Sequence, residues 1–323
     1  MNSREPPAGL LWAALGAVVI GGVGLALRSR RPAARLPRLP RLMSLAPGGR
    51  SPTVRAARRL NRAAGLLATS VLADSAVEHY RGSFHNRAMI APLISGGLSL
   101  AVSLHGHADK RAAAHSVRDT IYAIAMLTGL TGTVFHLYNV GNKPGGFRWE
   151  NLFYGAPLGA PAALLLSGGT GYLAERVRDT PRGRSPRIAG LPAGRTIAAA
   201  TALGLLGTVA EAALLHFRGA FNDPFMFAPV TLPPLSALCL ANAAFGPRRR
   251  ERRLTRALLR LTAWLGLAGV AFHLRGIQRQ MGGWHNLGQN VPNGPPIPAP
   301  PSFSGLAFAA LAALGLMEDH PDG

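Results

Sequence analysis

A single cysteine, Cys239, in 323 residues rules out an internal disulfide, and no CxxC pair exists to suggest thiol chemistry or a zinc site. Charge is scarce too, at 15% of residues against about a quarter in an ordinary soluble domain. Acid is scarcer still: 14 Asp and Glu stand against 35 Lys and Arg, for a net charge of +21. The motifs of soluble enzymes are missing, with no Walker loop, no GxSxG elbow and no HExxH. The alternating pattern of a membrane β-barrel is missing as well. A soluble nucleic-acid binder would share the basic sign, but it would not carry apolar runs long enough to cross a bilayer. Nucleic acid is therefore not expected as a partner.

Such runs are what the chain does have. A bilayer core about 30 Å thick takes roughly 20 apolar residues as helix. Runs of that kind fall near 8–27, 63–80, 88–106, 119–139, 157–174, 196–216, 225–245, 257–274 and 303–317. Helix is the expected form, because lipid offers nothing to an open backbone. The expected fold class is thus all-α: a polytopic membrane protein with about nine transmembrane helices. Its expected boundaries are an N-terminal anchor helix (1–27), a basic Pro/Arg-rich segment without a packed core (28–62), a first four-helix repeat (63–175), a basic linker (176–195), a second four-helix repeat (196–317) and a tail (318–323).

Arginine placement orients these spans. Segments 28–62, 107–118, 175–195 and 246–256 hold eleven, three, six and six Lys or Arg residues, and nine spans put all four on one side. The opposite loops and the N-terminus hold eight. The positive-inside rule makes the basic side cytoplasmic, in the inner membrane of a cell, with the N-terminus outside and the C-terminus inside.

The second repeat echoes the first. Residues 79–92, HYRGSFHNRAMIAP, return 137 positions later as HFRGAFNDPFMFAP, with seven of fourteen identical. GLTGTVFHL (129–137) returns as GLAGVAFHL (266–274), and GGF (145–147) as GGW (282–284), at the same offset. ENLFYGAP (150–157) pairs with QNVPNGPP (289–296) at an offset of 139, followed by Pro161 and Pro300. Each copy takes four spans, an even number, so the repeats are parallel.

The repeated polar residues gather at the outer face. His79 and His216 end the first helix of each repeat, and His136 and His273 end the third, 57 residues on in both. Arg81 and Arg218 follow the first histidines, and Asp74 and Glu211 precede them by five. Carboxylates at that depth are costly in lipid and should face the bundle interior. Imidazoles from two helices can hold haem b, and a bare metal ion is a weaker option. Alternatively, His and acid together can exchange protons with a quinone headgroup. Aromatic residues Tyr80, Phe84, Phe217, Phe221, Phe147 and Trp284 would flank it, although they also suit an interfacial belt. Either cofactor would make this a redox-associated membrane subunit, with a soluble or periplasmic dehydrogenase as a partner beside the lipid bilayer.

Transport is the alternative, with Asp74, Glu211 and Glu78 as coupling carboxylates and helices broken at Pro233–Pro234 and Gly96–Gly97. A non-catalytic scaffold is a third reading. Its bland counterparts are histidines that cap carbonyls, arginines that reach for phosphates and glycine pairs 145–146 and 282–283 that serve loop geometry at positive φ.

Overall fold

The computed structural model describes residues 51–181, 183–246 and 252–320. The expected anchor span 8–27, most of the segment 28–62 and residues 321–323 lie outside them. The described chain is almost wholly helical. In order, it forms α1 (Pro52–Arg81), α2 (Ala91–Ala108), α3 (Ser116–Gly141), the short α4 (Trp149–Phe153) and α5 (Gly159–Arg178). Then come α6 (Ala193–Arg218), α7 (Ala228–Phe245), α8 (Arg252–Gln278), the short α9 (Leu287–Asn293) and α10 (Pro301–Asp319). The only sheet among the described residues is a two-residue hairpin, Arg187–Ile188 with Leu191–Pro192.

Six of the long helices have the length and apolar composition to cross a membrane: α2, α3, α6, α7, α8 and α10. The remaining two long helices, α1 and α5, fall short of that apolar composition. Two boundaries differ from expectation. Residues 52–62, expected to lack a packed core, are the first three turns of α1. Pro52 opens the helix where its missing N–H costs nothing. Arg55, Arg59 and Arg62 then share the exposed face, which leaves Val54, Ala57 and Leu60 fully buried. The expected helix breaks are also absent: α7 runs unbroken through Pro233 and Pro234, and α2 through Gly96 and Gly97. Each proline removes one backbone donor, a loss membrane helices tolerate when neighbours hold both flanks.

Helix neighbours close two rings. In one, α1 packs on α2, α2 on α3, α3 on α5 and α5 on α1; in the other, α6 packs on α7, α7 on α8, α8 on α10 and α10 on α6. The rings meet where α1 lies along α10 and α5 along α6. Leu60, Leu67, Leu205, Leu306 and Ala310 fill that seam. The outer helices instead turn Ile94, Val134, Leu238 and Trp264 outward, apolar surface suited to lipid.

Between such helices lipid gives no hydrophobic drive, and association depends on close packing of small residues. The repeated GLTG and GLAG supply it. A methyl group at Gly129 of α3 would come within 2.6 Å of the Pro161 carbonyl on α5, and one at Gly266 of α8 within 2.7 Å of the Pro300 carbonyl beside α10. Gly132 and Gly269 press on the same two prolines.

Candidate functional site at the histidine end

The loops 82–90, 142–158, 219–227 and 279–300 gather at one end of the rings, and every predicted site residue lies on or near them. Two passages are nearly superposable in their bonding. After α1, Gly82 N–H donates to the Glu78 carbonyl (3.1 Å), and Phe84 N–H donates to the His79 carbonyl (3.0 Å). After α6, Gly219 N–H donates to the Leu215 carbonyl (3.2 Å), and Phe221 N–H donates to the His216 carbonyl (3.1 Å). The left-handed residues are not the glycines but Ser83 and Phe84 (φ 55 and 47) and Ala220 and Phe221 (φ 54 and 47). Such backbone persists only where its surroundings over-determine it. Here Asn86 and Asp223 do so by capping the following turns, accepting from Ala88 N–H at 2.9 Å and Phe225 N–H at 3.0 Å. The glycine pairs before Phe147 and Trp284 do sit at positive φ, Gly145–Gly146 at 90 and 63 and Gly282–Gly283 at 80 and 50.

Each histidine reaches forward to the start of the next helix. His79 Nδ1 donates to the Met89 carbonyl (2.6 Å), His136 Nδ1 to Pro157 (2.6 Å) and His273 Nδ1 to Pro296 (2.7 Å). His216 faces the Met226 carbonyl in the equivalent place but without a bond of ordinary length. A carbonyl can only accept, so in the three bonded rings the proton sits on Nδ1 and Nε2 carries the lone pair. These imidazoles therefore tie loops to helices while leaving one acceptor nitrogen each, the orientation seen when histidine serves a ligand. His79 lies close enough to His136, and His216 to His273, for their charges to interact.

The two acids sit one on each ring. Asp74 and Glu211, from α1 and α6, are half-buried and lie within electrostatic reach of one another. Their settings differ. The Glu211 carboxylate lies against Gly159, the first residue of α5, where a helix N-terminus favours an anion. The equivalent approach to α10 runs through Pro298, Pro300 and Pro301, which have no N–H to offer, and Ser70 instead donates to the Pro298 carbonyl.

The arginines diverge too. Arg81 pairs with Glu78 through both carboxylate oxygens, at 2.8 and 3.0 Å. Arg218 has Leu215 in place of that acid and lies over the Phe153 and Tyr154 rings, 5.7 Å from each centroid. Phe147 folds back on Gly141 and Trp284 is half-exposed, so neither joins the histidines. Among the described residues no three His, Cys, Asp or Glu side chains group as a metal site.

A second polar constellation, counted from sequence only as basic loop charge, lies at the opposite, basic end. Arg118, Glu175 and Arg178 are fully buried. Arg118 donates to Asp109 (2.9 Å) and Glu175 (2.8 Å). Arg178 donates to the Asn61 side chain (2.9 Å) and the Gly106 carbonyl (2.7 Å), and Arg176 pairs with Asp119. Asn61 and Ser103 both bond the Tyr122 hydroxyl. Burial alone would raise the Asp109 carboxyl, but the Arg111 amide and the Arg118 guanidinium hold it below the usual carboxylate range.

Among the described residues, the other ring has apolar side chains at most of these buried positions. At the offsets set by the repeats, Asn61, Ser103, Tyr122, Glu175 and Arg178 correspond to Ala198, Leu240, Leu259, Leu314 and Met317, all buried and apolar. That contrast was the available signal: polar residues in one copy and apolar ones in the other, at positions where both are core.

No family model, curated protein or solved structure matches this chain.

Proposed function

We propose that the chain is a nine-span protein of a cell's inner membrane, an anchor helix followed by two parallel copies of a four-helix unit, with the basic end cytoplasmic and the N-terminus outside. On this reading it serves as a redox-associated membrane subunit, holding a quinone or haem group near the outer face and exchanging electrons with a soluble or periplasmic dehydrogenase. Asp74 and Glu211 take the role of proton-exchanging acids. His79, His136, His216 and His273 frame the cofactor with Arg81 and Arg218.

The observation that carries this is the gathering of Asp74, Glu211 and the imidazoles toward one end of the rings, where three of the imidazoles keep an Nε2 lone pair. A carboxylic acid can pass a proton to and from a headgroup oxygen. Quinone is taken first because the acids at this end can exchange protons with its headgroup, a role haem does not use; the free Nε2 atoms would suit either group.

The test is to purify the full chain in mild detergent, record its oxidised and reduced visible spectra, and extract it for quinone with mass detection. The expected result is a colourless protein with near-stoichiometric quinone. Asp74→Asn should keep the quinone but slow its reduction by roughly 10²-fold, the scale of a lost proton donor. A Soret band lost on His136→Ala and His273→Ala would replace quinone by haem. A preparation with neither group would overturn the redox reading. The placement of one acid on each ring would then favour transport, which proton flux into proteoliposomes measures directly.

A further inference from the structure

The two copies differ at one place on the histidine end, and the difference leaves a groove. In the filled copy, Phe153 of α4 meets Phe217 edge-on at 5.8 Å, Tyr154 packs on Phe153 at 4.7 Å, and Arg218 lies over both rings. At the 139 offset the other copy replaces Trp149, Phe153 and Tyr154 by Gly288, Pro292 and Asn293. Three aromatic side chains vanish together from one short helix. What remains between the end of α1 and α9 is a groove of about 490 Å³, lined by Val77, Tyr80, Phe84, Leu287 and Val291 and by Gly288 and Pro292 themselves. It continues past Arg81, Ser83 and Asn293 into a more polar mouth. A side chain built on Gly288 would meet nothing within 4 Å.

The filled copy shows what this surface is shaped to hold: flat rings against an aromatic at position 80 or 217, beneath an arginine. In the open copy the arginine is drawn to Glu78, so the mouth offers a guanidinium beside Tyr80, Ser83 and Asn293 while the floor stays apolar. The matching occupant is planar, with oxygen acceptors at one end and an apolar tail that leaves toward lipid. We infer that this groove is the headgroup site for a membrane-borne quinone, seated where the chain's own rings sit in the other copy. Flat ring and aromatic wall attract beyond their contact area, and Arg81 offers donors to a ring oxygen. The inference rests on the quinone reading above and moves the headgroup off the histidines: of the residues named there, only Arg81 lines the groove.

The groove can be closed with the protein's own template. The variant Pro292→Phe with Asn293→Tyr restores the ring pair, and Gly288→Trp restores the third aromatic into open space. The probe is a short-tailed benzoquinone titrated onto the detergent-purified full chain, read by retention and by tryptophan quenching. Wild type is expected to bind about one probe per chain, and each variant to weaken it by roughly tenfold or more, with elution and melting temperature unchanged or improved. Undiminished binding in both variants overturns the groove while leaving the quinone reading in place. A wild-type protein that neither carries quinone nor binds the probe overturns both. If the variants expel a phospholipid, detected by mass, and quinone binding stays, the groove belongs to an acyl chain and the assignment is wrong. Because either variant alone can be read, a folding failure in one leaves the other to decide.

Discussion

Glu175→Leu should destabilise the protein by about 3–5 kcal/mol, the cost of leaving a buried charge uncompensated. Glu175 is fully buried and accepts from Arg118 at 2.8 Å and from the His115 amide at 3.0 Å, with Arg178 Nε 3.5 Å away. Removing it leaves two buried guanidinium groups, of which Arg118 keeps the Asp109 carboxylate while Arg178 keeps only the Asn61 amide and main-chain carbonyls. The loss is read as a lower midpoint for denaturant unfolding in mixed micelles, or as a lower melting temperature by detergent size exclusion. The other ring supplies a sharper companion experiment, because it closes the same position without any charge. Transplanting its residues together (Asn61→Ala, Ser103→Leu, Arg118→Thr, Tyr122→Leu, Glu175→Leu and Arg178→Met) should recover most of the loss, since well-packed apolar replacements of buried ion pairs are often neutral or stabilising. A single Glu175→Leu as stable as wild type would show that the network contributes nothing. A failed transplant beside a damaging single change would show that the two rings are not interchangeable at this end.

Gly129→Val should pry α3 from α5, at the upper end of the roughly 1–3 kcal/mol that overpacking costs. The reason is the identity of the obstructing atoms. A methyl group there would stand 2.3 Å from the Leu165 amide nitrogen and 2.6 Å from the Pro161 carbonyl, both backbone, so no rotamer change relieves it. Gly266→Val should behave alike against the Ser304 backbone nitrogen (2.9 Å) and the Pro300 carbonyl (2.7 Å). Gly207→Val is the control: its added atoms meet nothing within 4 Å, and its unfolding midpoint should stay within about 0.5 kcal/mol of wild type. If all three substitutions were equally mild, the repeated glycines would not be serving as close-packing points.

Much of this was legible along the chain. The apolar runs were, because spanning lipid demands length and composition that no local context can disguise. So were the repeated exits from the first helices, since their hydrogen bonds run between residues a few positions apart and their caps, Asn86 and Asp223, are themselves sequence signals. The histidines were found, but not their bonding. Their proximity to Met89, Pro157 and Pro296 depends on how each loop folds back over its own helix. Two readings failed for a shared reason. Arginines in 52–62 suggested a segment with no core, and Pro233–Pro234 suggested a break, yet neighbouring helices supplied the packing that keeps both stretches helical. Of the arginines counted toward the basic side, Arg118, Arg176 and Arg178 turn out to be paired with acids within the fold.

What the sequence determined by itself was the periodic and the local: helices, the end at which positive charge collects, and a phrase written twice. What only the tertiary structure decided was where the two copies part company. Asp74 and Glu211 sit one on each ring, Asn61, Tyr122, Glu175 and Arg178 of one ring have apolar counterparts in the other, and one short helix fills its groove while the other leaves it open. Those outcomes join residues more than 200 positions apart, such as Tyr80 and Pro292, and contacts of that span are fixed by which helices become neighbours, a matter on which no stretch of twenty residues carries information.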